Sequence, residues 1–256
     1  MEEKSIDTSV GRISVTIDDR GTKAPIIFLH GVFLDKSLWF EVSRELPEVT
    51  RIYIDMPAHG SSSDVGHNWA LDDCVDMLMQ IMNELKIDTC FLIGQSWGSM
   101  TALRAAAKYP ERFEALGLFN MPFRKTTGLR RLGFIFQKAI LFFPRFYAKQ
   151  AAKSLYSGEI LRNRPELSIQ MQDRLSKRSP KELSRIINAV ILMPDDVTQL
   201  INELRVPALA VIGNEDYVGK PPRLETWTVP GGHISPHESV EKVKDAIIKV
   251  LGMGNR

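Results

Sequence analysis

The sequence predicts an α/β fold with a mainly parallel central sheet and helices on both of its faces. Apolar strand patterns alternate with amphipathic helical patterns along most of the 256 residues, and this alternation is typical of parallel strands joined by crossover helices. Several strand patterns are short and entirely apolar, as expected for strands covered on both faces. The stretch 121–200 has helical patterns only, so we expect a helical cap inserted between two strands.

The amino-terminal half begins with strand patterns at 4–8 and 11–18, which a turn around Gly11 joins as a hairpin. The next elements are a strand at 26–29, a helix at 36–46, a strand at 52–54, a helix at 71–85, a strand at 90–93, a helix at 97–109 and a strand at 115–119. Apolar residues recur every three or four positions in the helical patterns, so one face of each helix can pack on the sheet. Pro110 ends the helix that begins at 97.

The carboxy-terminal part resumes the alternation, with strands at 208–212 and 224–229 and a helix from about 236 to 251. Ser235 to Glu238 reads as a capping box with proline at the first helical position. Pro221 and Pro222 block a helix between the last two strands, so we expect a short irregular link there. We predict one structural domain, with residues 1–120 and 201–256 as its core and 121–200 as its cap.

Composition is that of a globular protein, with 44% hydrophobic and 25% charged residues. The charged start at Met1 to Ser5 lacks an apolar core, so no secretory signal is expected. The longest apolar run is too short and too interrupted to span a membrane. Two cysteines, Cys74 and Cys90, lie in apolar patterns and are expected to be buried thiols. We therefore expect a cytoplasmic protein. No Cys or His residues have the spacing of metal ligands, so we expect no bound metal, and we expect no cofactor.

The net charge of +2 is unevenly distributed, because the stretch 121–200 holds 15 Lys or Arg and 6 Asp or Glu. A basic surface of this kind can attract an acidic acyl carrier or a CoA moiety, and it is also typical of a solvated helical face. The same stretch is rich in phenylalanine. We expect these aromatic residues to pack over the site beneath a charged outer face, without membrane contact. No nucleic-acid partner is expected.

A serine motif carries the chemistry. Gly94, Ser96 and Gly98 form a G-x-S-x-G pattern between an apolar strand and a helical pattern, the context of a sharp turn that exposes a serine hydroxyl. Such a serine needs a histidine to take its proton and a carboxylate to orient the histidine. Asp216 and His233 each follow a later strand pattern, so all three groups should meet at the carboxyl edge of the sheet.

Four motifs in this order resemble the α/β-hydrolase superfamily, in its compact esterase-like branch with a single cap. The motifs are Leu29–Gly31, Asp55–Ser62, Gly94–Ser99, and Gly213–Asp216 together with Gly232–His233. The resemblance covers nearly the whole chain outside 121–200. It implies a central sheet with an inserted cap, and a serine nucleophile that works through an acyl-enzyme.

The resemblance assigns roles to individual positions. Ser96 becomes the nucleophile, His233 the base and Asp216 the orienting acid. The backbone N–H groups of Trp97 and Val32 become the donors of an oxyanion hole. By the same pattern His30 and His59 lie in turns that shape the neighbouring loops.

Other candidates for these roles are weaker. Glu215 is next to Asp216, but the family pattern has the acid at the fourth position from Gly213. Some relatives have the acid after the strand that precedes the cap, where this chain has Asn120, which cannot carry the charge. His67 lies in a polar loop, and His237 lies in the first turn of a helix, so we expect both at the surface.

The sequence therefore predicts a serine hydrolase that cleaves a carboxylic ester with a hydrophobic acyl or alcohol group. Phe33 and Phe123 are candidate pocket residues, and ordinary core packing explains them equally well. The alternatives are a thioesterase or methyl-ester esterase for carrier-bound acyl groups, a prolyl aminopeptidase and a carbon–carbon bond hydrolase. A non-enzymatic receptor with a hydrolase fold is also open.

Overall fold

An eight-stranded sheet forms the centre of the part of the chain that the computed structural model describes, residues 1–21 and 24–254. The strands are β1 (Glu2–Thr8), β2 (Gly11–Asp18), β3 (Ile26–Leu29), β4 (Arg51–Ile54), β5 (Cys90–Gln95), β6 (Phe113–Phe119), β7 (Ala208–Gly213) and β8 (Glu225–Val229). Their order across the sheet is β1-β2-β4-β3-β5-β6-β7-β8. The β1–β2 and β2–β4 pairs are antiparallel, and every later pair is parallel. The predicted α/β class is confirmed.

The helices are α1 (Phe40–Ser43), α2 (Leu71–Glu84), α3 (Trp97–Lys108), α4 (Gly128–Gln137), α5 (Pro144–Leu155), α6 (Gly158–Asn163), α7 (Glu166–Ser176), α8 (Pro180–Ile187), α9 (Thr198–Glu203), α10 (Ser235–Glu238) and α11 (Val240–Leu251). The helix predicted at 36–46 is shorter than its pattern, because a 3-10 turn at Lys36–Trp39 precedes α1 and the chain turns before Pro47.

Helix pairs cover the sheet. α3 packs on β5 and β6 with α2 beside it, and α11 packs on β6 and β7 with α1 beside it. The central strands β3 and β5 are fully buried, as their apolar sequences predict. Cys74 and Cys90 are buried free thiols, and burial raises the pKa of both. Between β7 and β8 the chain forms turns rather than a helix, which agrees with the effect of Pro221 and Pro222.

The last helical segment begins at Ser235 with Pro236 in its first turn, close to the prediction, but the predicted capping box and the unbroken helix are wrong. Ser235 donates its hydroxyl proton to Asn120 Oδ1 at 2.6 Å instead of capping a helix, and the helix breaks at Ser239. His237 is buried rather than exposed, because the end of α5 covers it. The Tyr156 hydroxyl and His237 Nδ1 are hydrogen-bonded at 2.8 Å, and the two rings stack. A contact between residues so far apart in the chain leaves no local pattern in the sequence.

Helices α4 to α9 lie between β6 and β7, and we call this segment the insertion. Its outer surface differs from the expected charged face. Many large apolar side chains of the insertion are exposed: Leu129, Leu132, Ile135, Phe136, Phe142, Phe143, Phe146, Ile169 and Met193. The phenylalanine-rich stretch therefore supplies both the inner and the outer side of the insertion. Across the described residues, each helix is too short or too polar to traverse a bilayer.

Candidate active site

Ser96 lies at the turn between β5 and α3, with φ of 49° and ψ of −106°. A non-glycine residue in this region of backbone space is strained, and the surrounding structure must enforce it. A side chain on Gly94 would lie 2.4 Å from the backbone of Gly98, and one on Gly98 would lie 2.3 Å from the Leu29 carbonyl oxygen. Only glycine fits at both positions, which explains the G-x-S-x-G pattern physically.

A chain of hydrogen bonds joins Ser96 to two residues at other strand ends. The Ser96 Oγ atom lies 2.8 Å from His233 Nε2, and His233 Nδ1 lies 2.9 Å from Asp216 Oδ1. Asp216 follows β7 and His233 follows β8, as predicted. Because an ionised carboxylate only accepts, Nδ1 carries the proton and Nε2 is free to accept from the serine hydroxyl. The side chains of His233 and Asp216 are almost completely buried.

Asn120 holds the second oxygen of the carboxylate. Its Nδ2 donates to Asp216 Oδ2 at 2.8 Å, while its Oδ1 accepts from the Ser235 hydroxyl. Asn120 has a φ of 52° directly after β6 and is fully buried. Sequence reasoning noted this asparagine only as a position where an acid is missing, and it missed the role of an amide donor to Asp216.

Tyr217 and Arg130 form a stack on the histidine that sequence reasoning also missed. The Tyr217 ring lies on the His233 ring with centroids 4.7 Å apart and planes at 21°. Arg130 lies on α4 of the insertion, and its guanidinium carbon is 3.7 Å from the centre of the Tyr217 ring. The Tyr217 hydroxyl is 3.4 Å from His233 Nε2. The short link after Asp216 was the only signal, because it keeps the next residue close to His233.

The loop after β3 lies against Ser96. A side chain on Gly31 would come within 3.2 Å of Ser96 Cβ, and the next residue, Val32, lines the same cavity as Ser96. Trp97 begins α3, and the first N–H groups of a helix have no acceptor within the helix. Gln95 Nε2 donates to the His233 carbonyl at 2.6 Å, which joins the turn to the histidine loop.

Two buried histidines, His30 and His59, hold this loop in place and are not part of the hydrogen-bond chain from Ser96 to Asp216. His30 donates from Nδ1 to the Gly31 carbonyl at 2.7 Å and accepts the Met56 N–H at Nε2. His59 Nε2 accepts the Phe33 N–H at 3.1 Å. Burial lowers the pKa of His30 to about 4 and that of His59 to about 3, so both rings are neutral near neutral pH. They shape the loop, as the sequence suggested.

A cavity of about 490 Å³ opens above Ser96. Its apolar wall is formed by Val32, Phe33, Met100, Phe123, Phe134 and Ile140. Arg124 and Arg130 add positive charge to the same wall. The insertion therefore supplies one side of the cavity and the sheet edge supplies the other. Within residues 1–21 and 24–254, no cluster of three His, Cys, Asp or Glu side chains could hold a metal ion.

Sequence comparison adds the family to this geometry. A sequence model of the alpha/beta hydrolase fold matches residues 24–228. The chain belongs to the alpha/beta hydrolase family. The match covers the first three motifs, the Gly213–Asp216 part of the fourth motif and the whole insertion. His233 lies beyond its end.

The individual relatives are more distant. A 2-succinyl-6-hydroxy-2,4-cyclohexadiene-1-carboxylate synthase from Citrobacter koseri is 34% identical over 83 residues, which is 32% of each chain. The chain therefore matches about a third of the length of this curated relative. A thermophilic esterase from Thermogutta terrifontis superposes with a TM-score of 0.84 over 100% of both chains at 24% identity. An enol-lactonase from Burkholderia xenovorans superposes with a TM-score of 0.87 over 97% of this chain and 100% of its own at 17% identity. These structural likenesses show the fold.

Proposed function

We propose that this alpha/beta hydrolase is a serine esterase that works through an acyl-enzyme. The observation that carries the proposal is the buried hydrogen-bond chain from Ser96 through His233 to Asp216 at the floor of a cavity. A serine hydroxyl is a weak nucleophile near neutral pH, and this chain supplies the base and the orienting carboxylate that it needs.

In the proposed reaction Ser96 Oγ attacks the ester carbonyl while His233 Nε2 takes the hydroxyl proton. The alkoxide leaving group then receives that proton from the imidazolium, and the acyl group stays on Ser96. Water repeats the sequence with His233 as its base and releases the carboxylic acid. Asp216 holds the histidine and stabilises its charged form. The N–H groups of Val32 and Trp97 would donate to the oxyanion, where each donor typically contributes about 3 kcal/mol.

The cavity indicates the class of ester. Its apolar wall favours a hydrophobic acyl or alcohol group, because burying each methylene typically contributes about 0.8 kcal/mol. A volume of about 490 Å³ is within the usual range for small-molecule pockets. Phe33 and Phe123 line this wall and are the residues that we propose for contact with the hydrophobic group.

The test is ester turnover with a matched nucleophile variant. We expect p-nitrophenyl esters to be hydrolysed over many cycles, with a preference for medium acyl chains over acetate, and a fluorophosphonate probe to label Ser96. Ser96→Ala should lose both properties, while Ser176→Ala, which alters an exposed serine at the end of α7, serves as the control. Unchanged hydrolysis by Ser96→Ala would refute the proposal. Labelling with only a single turnover would indicate a receptor instead.

A second candidate is a reaction on a carboxylate-bearing substrate. Two observations favour it: Arg124 and Arg130 line the cavity, and the curated relative is named for a product with a carboxylate and a succinyl group. A guanidinium is well suited to bind a carboxylate. Both candidates place the reaction at Ser96. They differ in whether Arg124 and Arg130 bind a carboxylate of the substrate.

A pair of substrates separates the candidates. p-Nitrophenyl hexanoate and p-nitrophenyl hydrogen adipate have the same chain length and differ in a terminal carboxylate. If the cations select an anion, the adipate has the higher kcat/KM, and Arg130→Gln lowers adipate turnover much more than hexanoate turnover. Equal loss on both esters would assign Arg130 to structure rather than to anion binding. A preference for hexanoate in the unaltered enzyme would favour the simple esterase.

A further inference from the structure

The insertion carries an outer apolar face, which we define as Leu129, Leu132, Ile135, Phe136, Phe142, Phe143 and Phe146. These seven side chains are between 44% and 87% exposed. A contiguous stretch of chain this apolar is rarely left in water unless a partner covers it. Within the described residues the other exposed large apolar side chains, such as Ile169 and Ile248, are scattered through other elements.

The geometry of α4 separates this face from the cavity. Arg130, Phe134 and Gln137 line the cavity at helical spacing, whereas Leu129, Leu132 and Phe136 repeat at three and four residues on a different side. The outer side of the helix is thus apolar, whereas two of these three cavity-lining side chains, Arg130 and Gln137, are polar. Phe142 and Phe143 are exposed at the end of the turn that follows α4, directly before Pro144.

The charges beside this face all have the same sign. Residues 121–158 contain eight Lys or Arg and no Asp or Glu. Within residues 1–21 and 24–254, Lys125 is the only one of these eight residues that forms an ion pair, and its partner is Asp195. Arg145, Lys149 and Lys153 are exposed and lie on the same helix as Phe146. A second copy of the chain would bring these cations against their equals, which opposes self-association through this face.

We propose that the outer apolar face binds to the surface of an anionic lipid bilayer. The seven apolar side chains would enter the boundary between headgroups and acyl chains, and the neighbouring lysine and arginine side chains would contact the lipid phosphates. Phenylalanine and leucine combined with unpaired cations are the composition of interfacial helices. A fluid bilayer also accommodates side chains that project from two helices and a turn, without the matching pocket that a protein partner would need.

This binding does not depend on the proposed ester hydrolysis, but it would bring the cavity close to apolar compounds dissolved in the bilayer. α4 would lie between the lipid surface and the cavity, because its two sides face them separately. An ester that partitions into the membrane would then reach the cavity by passing this one helix.

The test is co-sedimentation with vesicles. Sucrose-loaded vesicles of phosphatidylcholine with an equal part of phosphatidylglycerol should sediment the protein, and vesicles of phosphatidylcholine alone should sediment much less of it. The variant F136S/F142S/F143S should lose on the order of tenfold in partition coefficient. The matched control I169S/I248S removes exposed apolar side chains elsewhere and should sediment like the unaltered protein. The circular dichroism spectrum and the thermal midpoint of unfolding should be the same for all three proteins, which verifies that each is folded.

A second variant keeps the test independent of the phenylalanines. R145E/K149E/K153E should lose sedimentation with the anionic vesicles, and added salt should reduce binding of the unaltered protein. Equal sedimentation of the unaltered protein and F136S/F142S/F143S would overturn the proposal. So would a stable dimer in analytical ultracentrifugation that F136S/F142S/F143S converts to a monomer, because a second copy would then cover the face. Binding that requires an acidic protein rather than lipid would overturn it as well.

Discussion

Acidification from about pH 7.5 to about pH 5.5 should destabilise the folded protein through three histidines that the fold keeps neutral. His30, His59 and His237 are all buried. Burial lowers the pKa of His30 to about 4 and the pKa of each of the other two to about 3. Each ring also accepts or shares a hydrogen bond that a protonated imidazole could not keep unchanged.

The sign and the size follow from proton linkage. The unfolded chain binds a proton at each histidine below about pH 6.5, whereas the folded chain does not until the pH approaches the lowered values. Acid therefore favours the unfolded state, and the stability present above about pH 6.5 is lost as the pH falls. Between about pH 7.5 and about pH 5.5 the loss is about 1.4 kcal/mol per histidine, or about 4 kcal/mol for three. That is a large part of a typical free energy of unfolding.

Urea denaturation at the two pH values measures this loss directly. His237→Gln keeps an acceptor for the Tyr156 hydroxyl and removes one titrating ring, so the loss between the two pH values should fall by about a third. His67→Gln is the matched control, because His67 is exposed and solvated in both states. A loss of stability that His237→Gln leaves unchanged would refute the reasoning.

Three further results are expected. Asn120→Ala should lower kcat/KM for p-nitrophenyl esters by about tenfold with little change in KM, because Asp216 loses a hydrogen bond that orients the chain; steady-state kinetics measure this, and an unchanged kcat would contradict it. Tyr217→Phe should retain the ring stack and most of kcat, whereas Tyr217→Ala should lower kcat; equal effects would show that the stack is unimportant. Gly98→Ala should prevent soluble folding, because the added carbon would lie 2.3 Å from the Leu29 carbonyl; circular dichroism of a folded variant would contradict this.

The sequence was sufficient to locate the hydrogen-bond chain because a parallel sheet imposes its geometry. Ser96, Asp216 and His233 each follow a strand, and the carboxyl ends of parallel strands meet at one edge. Residue type and position after a strand therefore predicted that these three side chains lie close together, and the structure contains the corresponding hydrogen bonds. The strained turn at Ser96 was equally visible, because its glycines are required by backbone contacts.

The residues that surround this chain could not be predicted in the same way. Asn120 bonds to Asp216 across 96 positions of sequence, and Tyr156 covers His237 across 81. Neither contact follows from a repeating pattern, because it depends on where separate elements pack. The insertion poses the same difficulty: α4 has apolar residues on more than one side, so periodicity alone could not say which side faces water. The expected charges are present on the outer face, but the sequence did not predict the exposed apolar side chains beside them.

α4 is the element on which catalysis and lipid binding would meet. Its inner side supplies Arg130, which lies on Tyr217, and Tyr217 in turn lies on His233. Its outer side carries part of the face proposed to contact lipid. Ser96 and Asp216 lie at strand ends of the core, and the His233 N–H donates to the Leu155 carbonyl at the end of α5 at 2.8 Å, so the core and α5, rather than α4, hold the hydrogen-bond chain. A displacement of α4 would therefore change the environment of His233 and the shape of the cavity while the hydrogen-bond chain stayed in place. Substitutions on the outer side of α4 should then alter substrate selection more than they alter the reactivity of Ser96.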